Sequence, residues 1–325
     1  MAGPIWVVGE AVDGSLARIS GEIATLARGL ADAAGTDAVG VVVGAAPGPV
    51  ADELAAFLPR VLAVEAPSVA DHAWATVAAA LLAGLAAREE PSYILVGATN
   101  DGRDLAGALA ALLDRGVLVN ATAIHWTDGG PTVEMGVFGG RLLTTSAFTS
   151  DRGIVTVRPG AATASPASAP GVVELVDAAG GPDLPAVPVL ERVVEAGAAA
   201  SLEEAKIIVT GGRGVGGPGG FALVEELAGA LGGAVGATRA AVDAGWIPYA
   251  RQVGQTGKIV KPALYVALGV SGAIQHKVGM QTSGAIVAVN RDPDAPLASF
   301  ADLYVVGDLF EVVPAVLDGL RARRA

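Results

Sequence analysis

The sequence contains no cysteine, three histidines and few aromatic side chains, 4% in 325 residues. Without cysteine there is no disulfide framework, thiolate zinc site, iron–sulfur cluster or cysteine nucleophile. His72, His125 and His276 lie far apart in the chain, which argues against a histidine-rich metal site. Basic residues are in deficit, 21 against 33 acidic, and the net charge of −12 argues against general binding to nucleic acid or an anionic membrane. Long hydrophobic runs are lacking too. Mean hydropathy is +0.54, yet the longest helix-patterned stretch free of charge and proline, Ala73 to Ala87, is shorter than the ~20 residues a membrane span needs. No basic segment precedes Glu10, so neither a signal nor a transit peptide is expected. The chain reads as a soluble cytoplasmic protein without membrane insertion.

What is present is a 52% apolar composition built on Ala, Val, Leu and Gly, which excludes disorder and suffices for two cores. Ile5–Val8, Val39–Val43, Val61–Val64 and Tyr93–Val96 have the β-branched, glycine- or acid-bounded character of buried strands. Between the first two, Leu16, Ile19, Ile23, Leu26 and Leu30 mark one face of a helix closing near Gly35. Asp104–Arg115, with Gly116 beyond it, reads as another helix. From Thr122 to Val157 the strands come closer together (Val133–Phe138, Leu142–Ala147, Ile154–Val157), which predicts antiparallel members. Pro159–Gly171 has the composition of a surface loop or linker. A weaker strand, Val172–Val176, follows it, and Ser201-Leu-Glu-Glu204 fits a capping box opening a short helix.

The expected fold class is α/β, with two domains, each a mostly parallel sheet covered by helices. The boundary is expected near residue 195, giving an N-terminal domain over 1–195 and a Rossmann-like domain over 196–325. Charge divides at the same place. Residues 1–194 carry 10 basic and 21 acidic side chains, net −11, and residues 195–325 carry 11 and 12, net −1. An anionic ligand is better received by the second unit.

Gly212-Arg-Gly-Val-Gly-Gly217 satisfies G-x-G-x-x-G between the strand Ile207–Thr210 and a helix starting near Phe221, a setting in which backbone amides can approach a pyrophosphate. The acid expected on a ribose about 20 residues later is missing. The next strand, Ala234–Ala237, ends instead in Thr238-Arg239, and an arginine there suits the 2′-phosphate of NADP, which leaves an NADP-dependent oxidoreductase open. Gly269-Val-Ser-Gly272, after the strand Ala263–Leu268, resembles a nucleophile elbow. Ala273 replaces its last glycine, however, and no histidine lies downstream in the hydrolase order. A tight turn presenting amides and a hydroxyl to phosphate is the better reading. His276 by itself reads as a packed histidine, Arg213 and Arg239 as solvated loop arginines, and Met280 as core filler. Asn290 and Asp308 follow apolar runs at the ends of parallel strands, where ligand contact and plain turn or N-cap roles compete.

These residues belong to a larger pattern. Val235-Gly-Ala-Thr-Arg-Ala-Ala-Val-Asp-Ala-Gly245 precedes Gln252-Val-Gly-Gln-Thr-Gly-Lys258. Then come Pro262-x-Leu-Tyr-x-Ala-x-Gly-x-Ser-Gly-Ala-Ile-Gln-His276, Gly279-Met280, Val289-Asn-x-Asp-Pro-Asp-Ala-Pro296, Ala301-Asp302 and Val306-Gly-Asp-Leu309. In this order they resemble the electron transfer flavoprotein alpha subunit family, whose FAD domain is the C-terminal one. Ile94–Leu105 and Thr156–Gly160 suit that family's N-terminal domain, so the resemblance covers nearly the whole chain.

The resemblance implies an electron carrier, with no bond-making reaction of its own and no catalytic or metal-ligating residue. FAD contacts are implied at Arg213, Thr238, Arg239, Val253, Gly254, Gln255, Thr256, Ser271, Gly272, Ala273, Ile274, Gln275, His276, Asn290, Asp308 and Leu309. It implies the Thr256 hydroxyl near flavin N5, Arg239 close to the isoalloxazine and His276 beside the C2 carbonyl. The Ser271 turn would hold the phosphates, with Asn290 and Asp308 toward the adenosine. Thr238 departs from the family's usual serine but keeps the hydroxyl. A beta subunit completing a heterodimer and holding AMP is implied, the N-terminal domain being its platform. Flavin dehydrogenases such as acyl-CoA dehydrogenases would be donors and a membrane quinone oxidoreductase the acceptor. A bifurcating variant of the family, with a second FAD on the beta subunit, stays open. Physically, a cation stabilises the singly reduced flavin: a unit charge ~5 Å away in a dielectric of roughly 20 contributes about 3 kcal/mol, or roughly 140 mV for one electron. Loss of Arg239 is therefore expected to lower the first reduction potential.

Overall fold

In the computed structural model the first strand, β1 (Ile5–Gly9), consists of five consecutive buried residues, as a strand covered on both faces requires. The structure describes residues 3–137, 142–177, 181–182, 184–191, 202 and 205–324. It divides into two compact units, Met1–Val193 and Val194–Ala325.

The first unit continues through a small hairpin, β2 (Ala11–Val12) and β3 (Ser15–Leu16), into α1 (Arg18–Ala34), β4 (Ala38–Gly44), α2 (Gly48–Ala55) and β5 (Arg60–Glu65). Then come α3 (Trp74–Glu89), β6 (Tyr93–Gly97), α4 (Asn100–Leu113), β7 (Val117–Thr127), β8 (Gly130–Val137), β9 (Leu142–Ala147), β10 (Gly153–Val157) and β11 (Val172–Leu175). The sheet order is β11-β5-β4-β1-β6-β10-β7-β8-β9. Among the described residues of this sheet only the β7–β8 and β8–β9 pairs are antiparallel, whereas β10 inserts parallel between β6 and β7. Alternation sends Ile5 and Val7 to the face under α1 and α2, and Trp6 and Val8 to the face under α3 and α4. Arg60 ties β5 to α3 and β11 through Glu89 at 2.8 Å and Glu174 at 3.0 Å.

Several expectations shift here. The helix expected from Asp104 begins at Asn100, because the Thr99 hydroxyl accepts the Gly102 amide as an N-cap. It ends at Leu113, with Asp114 as its C-cap two residues before Gly116. The strand region begins at Val117 rather than Thr122. Helix α2, eight residues opened by Pro47, was not expected at all. Pro159–Gly171 is a loop strapped across the unit: Arg28 donates to the Ser165 carbonyl at 2.8 Å, and the Gly171 amide to Ala55 at 2.7 Å. The capping box at 201–204 lies outside the described residues, apart from the buried Leu202.

The second unit comprises β12 (Ile207–Gly211), α5 (Phe221–Leu231), β13 (Ala234–Ala237), α6 (Arg239–Asp243), β14 (Leu264–Leu268), α7 (Ile274–Met280), β15 (Ala285–Asn290), β16 (Leu303–Val306) and α8 (Leu309–Arg324). Its strands are all parallel, in the order β13-β12-β14-β15-β16. Phe221, Val224 and Leu227 of α5 pack with Val313 and Leu317 of α8 on one face. Met280 of α7, with Val253, Val260 and Leu297 from loops, fills the other. Among the described residues no helix is long and apolar enough to cross a membrane.

Candidate functional site

Parallel strands bring their C-terminal ends to one edge of the sheet, where open α/β sheets receive ligands. In the second unit the loops on that edge are bonded to one another. The Val253 amide donates to the Ala237 carbonyl at 2.9 Å, Gly214 to Gly269 at 3.0 Å and Gly307 to Asn290 at 3.0 Å, while the Asn290 Nδ2 donates to Val270 at 2.9 Å. Residues 213, 238–239, 253–256, 271–276, 290 and 308–309 therefore converge although nearly a hundred positions of chain separate them.

The glycine motif does something other than expected. The amides of Gly212 and Gly214 are spent on the carbonyls of Leu268 and Gly269, at 2.9 and 3.0 Å. A Cβ on Gly214 would lie 2.5 Å from the Gly269 Cα. These glycines let two neighbouring turns touch, and their own two amides are not available to a pyrophosphate. The NADP reading loses the two glycine amides on which it drew.

The free amides lie one strand over. Those of Gly272, Ala273, Ile274 and Gln275 have no acceptor among the described residues, and the Ser271 side chain beside them is exposed. Arg213 and Arg239 are exposed on the same edge, Arg239 64% so and ion-paired with Asp243 at 3.2 Å. The Thr238 Oγ1 is buried without a hydrogen-bond partner. Free amides, two guanidinium groups and an orphaned hydroxyl form a donor set suited to a phosphorylated, hydrogen-bond-accepting cofactor.

The loop Val253–Thr256 is fixed from three sides. Buried Gln252 donates to the Thr256 Oγ1 at 3.0 Å, and the Tyr249 hydroxyl donates to the Thr256 carbonyl. The Gln255 amide donates to Gln275 at 2.8 Å. In the sequence Gln252 stands only as the first residue of the Gln252–Lys258 motif, without a role of its own, and Tyr249 carries no motif signal.

His276 is 6% exposed. Its Nδ1 lies 2.9 Å from the Val253 carbonyl and its Nε2 3.0 Å from the Tyr265 hydroxyl. Burial lowers its pKa to about 4, against a smaller upward pull from the Val253 carbonyl. The packed reading thus describes this ring. It cannot serve as a base for Ser271, which closes the hydrolase reading, and as a neutral group it adds no cation. Asn290 and Asp308 likewise fill turn and cap roles. Asp308 accepts the Phe310 amide at 2.9 Å at the start of α8 and pairs with Arg291, whose guanidinium holds its carboxyl below the usual range. Leu309 is buried in the core.

Residues 201–281 match the family model described as the electron transfer flavoprotein FAD-binding domain, and residues 5–180 the electron transfer flavoprotein domain. The chain is 42% identical over 320 residues to a Mycobacterium tuberculosis protein named electron transfer flavoprotein subunit alpha, covering 98% of this chain and 99% of that one. It is 38% identical over 321 residues to the Bacillus subtilis protein of the same name, covering 98% and 97%. Protein FixB of Clostridium saccharobutylicum is 37% identical over 317 residues, covering 96% and 95%.

Proposed function

The chain belongs to the electron transfer flavoprotein alpha-subunit family, and from that premise we propose that it carries electrons through an FAD held at the C-terminal edge of its second sheet. The observation that carries this reading is the run of unspent amides from Gly272 to Gln275 on that edge, within the segment matching the FAD-binding domain. When bound, FAD accepts electrons and passes them on singly; the protein supplies binding and electrostatics.

In this reading the 272–275 amides and the Ser271 hydroxyl hold the phosphates. Arg213 and Arg239 balance negative charge, and Thr238 offers its orphaned hydroxyl. Gln252 orients the Thr256 hydroxyl toward the ring, and Gly254 and Gln255 line the approach. Asn290, Asp308 and Leu309 shape the adenosine end. The first unit, residues 1–195, is the platform for a beta subunit that carries AMP, and residues 196–325 form the flavin domain. Flavin dehydrogenases, acyl-CoA dehydrogenases among them, act as donors and a membrane quinone oxidoreductase as acceptor, from a cytoplasmic location. A second reading, the bifurcating variant of the family with a second FAD on the partner, rests on the same family resemblance.

Co-expression with the beta subunit, followed by counting nucleotides, tests both. One FAD and one AMP per heterodimer are expected, two FAD mark the bifurcating variant, and a colourless heterodimer overturns the proposal. A sharper check is Arg239→Ala. The fold should persist while the first reduction potential drops, by roughly 140 mV at an effective dielectric of 20 and about 35 mV if water screens the charge fully. The exposure of Arg239 and its pairing with Asp243 favour the lower end. An unchanged potential in a redox titration removes Arg239 from the role.

A further inference from the structure

Tyr265 is completely buried on β14, and the carrier function assigns it nothing. Its hydroxyl lies 3.0 Å from His276 Nε2, and His276 Nδ1 lies 2.9 Å from the Val253 carbonyl. A carbonyl only accepts, so Nδ1 must carry the proton. In a neutral ring Nε2 is then the acceptor, and the phenol must donate to it. Hydrogen-bond direction is thus set along Tyr265, His276 and Val253, from a buried strand residue to the first residue of the 253–256 loop.

We propose that Tyr265 is a positioning residue of the flavin site: its hydroxyl fixes His276 as the neutral Nδ1–H tautomer, which clamps the Val253 carbonyl and sets the loop that presents Thr256. The inference rests on the proposed flavin reading. Two further observations fit the clamp. The Val253 amide is also tied, to Ala237, so both polar groups of its backbone are fixed. The Gly254 backbone approaches Gly279 of α7 so closely that a Cβ on Gly279 would lie 2.4 Å from the Gly254 nitrogen. A misplaced loop therefore has no slack against the helix that carries His276.

The surroundings leave the ring neutral. Tyr265 is the titratable side chain it contacts from β14, and the Thr210 hydroxyl of β12 lies beside that phenol. Lys258, whose backbone pairs with that of Val253, and Lys261 lie on the segment after the loop, and Lys277 of α7 points over the Phe300 ring, 4.5 Å from its centroid. None of these lysines contributes to the displacement of the imidazole, which comes from burial and Val253.

The test is nitrogen NMR of the histidine rings in the flavin-loaded heterodimer labelled with 15N-histidine. Three histidines make assignment simple, by comparison with His72→Gln and His125→Gln. Between pH 5.5 and 8.5, about the range in which an unperturbed histidine changes charge, His276 should show a protonated Nδ1 and an unprotonated Nε2 throughout. An Nε2–H tautomer or an imidazolium in that range overturns the proposal. In Tyr265→Phe the Nε2 resonance should move to that of an unbonded ring nitrogen, and flavin should dissociate roughly fivefold faster, the effect of about one hydrogen bond. An unmoved Nε2 signal or unaltered release also overturns it. If Tyr265→Phe does not fold, the unsubstituted protein still decides the tautomer. A heterodimer that holds no flavin defeats the proposed function, while its ring nitrogens still report on the clamp.

Discussion

Gly269→Ala is expected to cost several kcal/mol of stability in the second unit and to abolish flavin retention. Gly269 has φ +62, and an added Cβ would lie 2.6 Å from the Gly214 Cα and 2.8 Å from its carbonyl carbon. The left-handed conformation costs an alanine about 1 kcal/mol or more. The overlap is worse, because the neighbour is backbone and cannot rotate away. Relief requires separating the turns after β12 and β14, which breaks the Gly212 and Gly214 hydrogen bonds and displaces the following Ser271–Gln275 amides. Gly216→Ala is the matched control: its φ of +81 carries similar strain, but its Cβ would meet nothing within 4 Å. Urea unfolding should show about 1 kcal/mol lost in the control and at least ~3 kcal/mol in Gly269→Ala. Equal losses would mean that the close approach of the turns contributes nothing.

Acidification supplies the second large effect. His276 has a pKa of about 4 in the folded chain against 6.5 for an ordinary histidine, because burial disfavours its charged form. Between those values the unfolded chain binds a proton that the folded chain does not. Stability therefore falls as pH drops from 6.5, and the penalty is complete, at about 3 kcal/mol, once pH reaches 4. Above pH 6.5 this group contributes no slope. Asp308 and Glu174, whose carboxyls are lowered by Arg291 and Arg60, lose their stabilisation only as pH falls below the ordinary carboxylate range. Asp101, whose carboxyl is raised by burial and by Asp104, titrates above the ordinary range with the opposite sign, so the share of His276 in the 4–6.5 window is read by difference from a His276→Gln profile. Urea midpoints measured across that window should decline for the native sequence and flatten for His276→Gln, whatever the offset between the two proteins. Parallel pH profiles would place the imidazole in water.

The strands Ile207–Thr210, Ala234–Ala237 and Ala263–Leu268 are legible in the sequence to within a residue of β12, β13 and β14. Val209, Val266 and Val289 face α5 and α8, while Ile208, Tyr265 and Ile286 face the opposite layer. A strand apolar on both faces stands out as a continuous run. Helix α2 did not, because eight residues between Pro47 and Ala56 give too few turns for a period to show. The start of α4 was hidden for a related reason: its first turn, Asn100 to Arg103, is polar, and only the Thr99 cap defines it.

Sequence alone determined the α/β class, the absence of thiol chemistry, the charge asymmetry and, through motifs in order, the family. These are properties of composition and local pattern, carried by each segment without its neighbours. The tertiary structure decided which groups are free and which are spent. It assigned the amides of Gly212 and Gly214 to packing and left those of Gly272–Gln275 unpaired, a distinction invisible in two equally glycine-rich turns. It also joined His276 to Tyr265, eleven positions away, and to Val253, twenty-three away. A hydrogen bond uses up its donor, and only the folded chain shows which donors remain for a ligand.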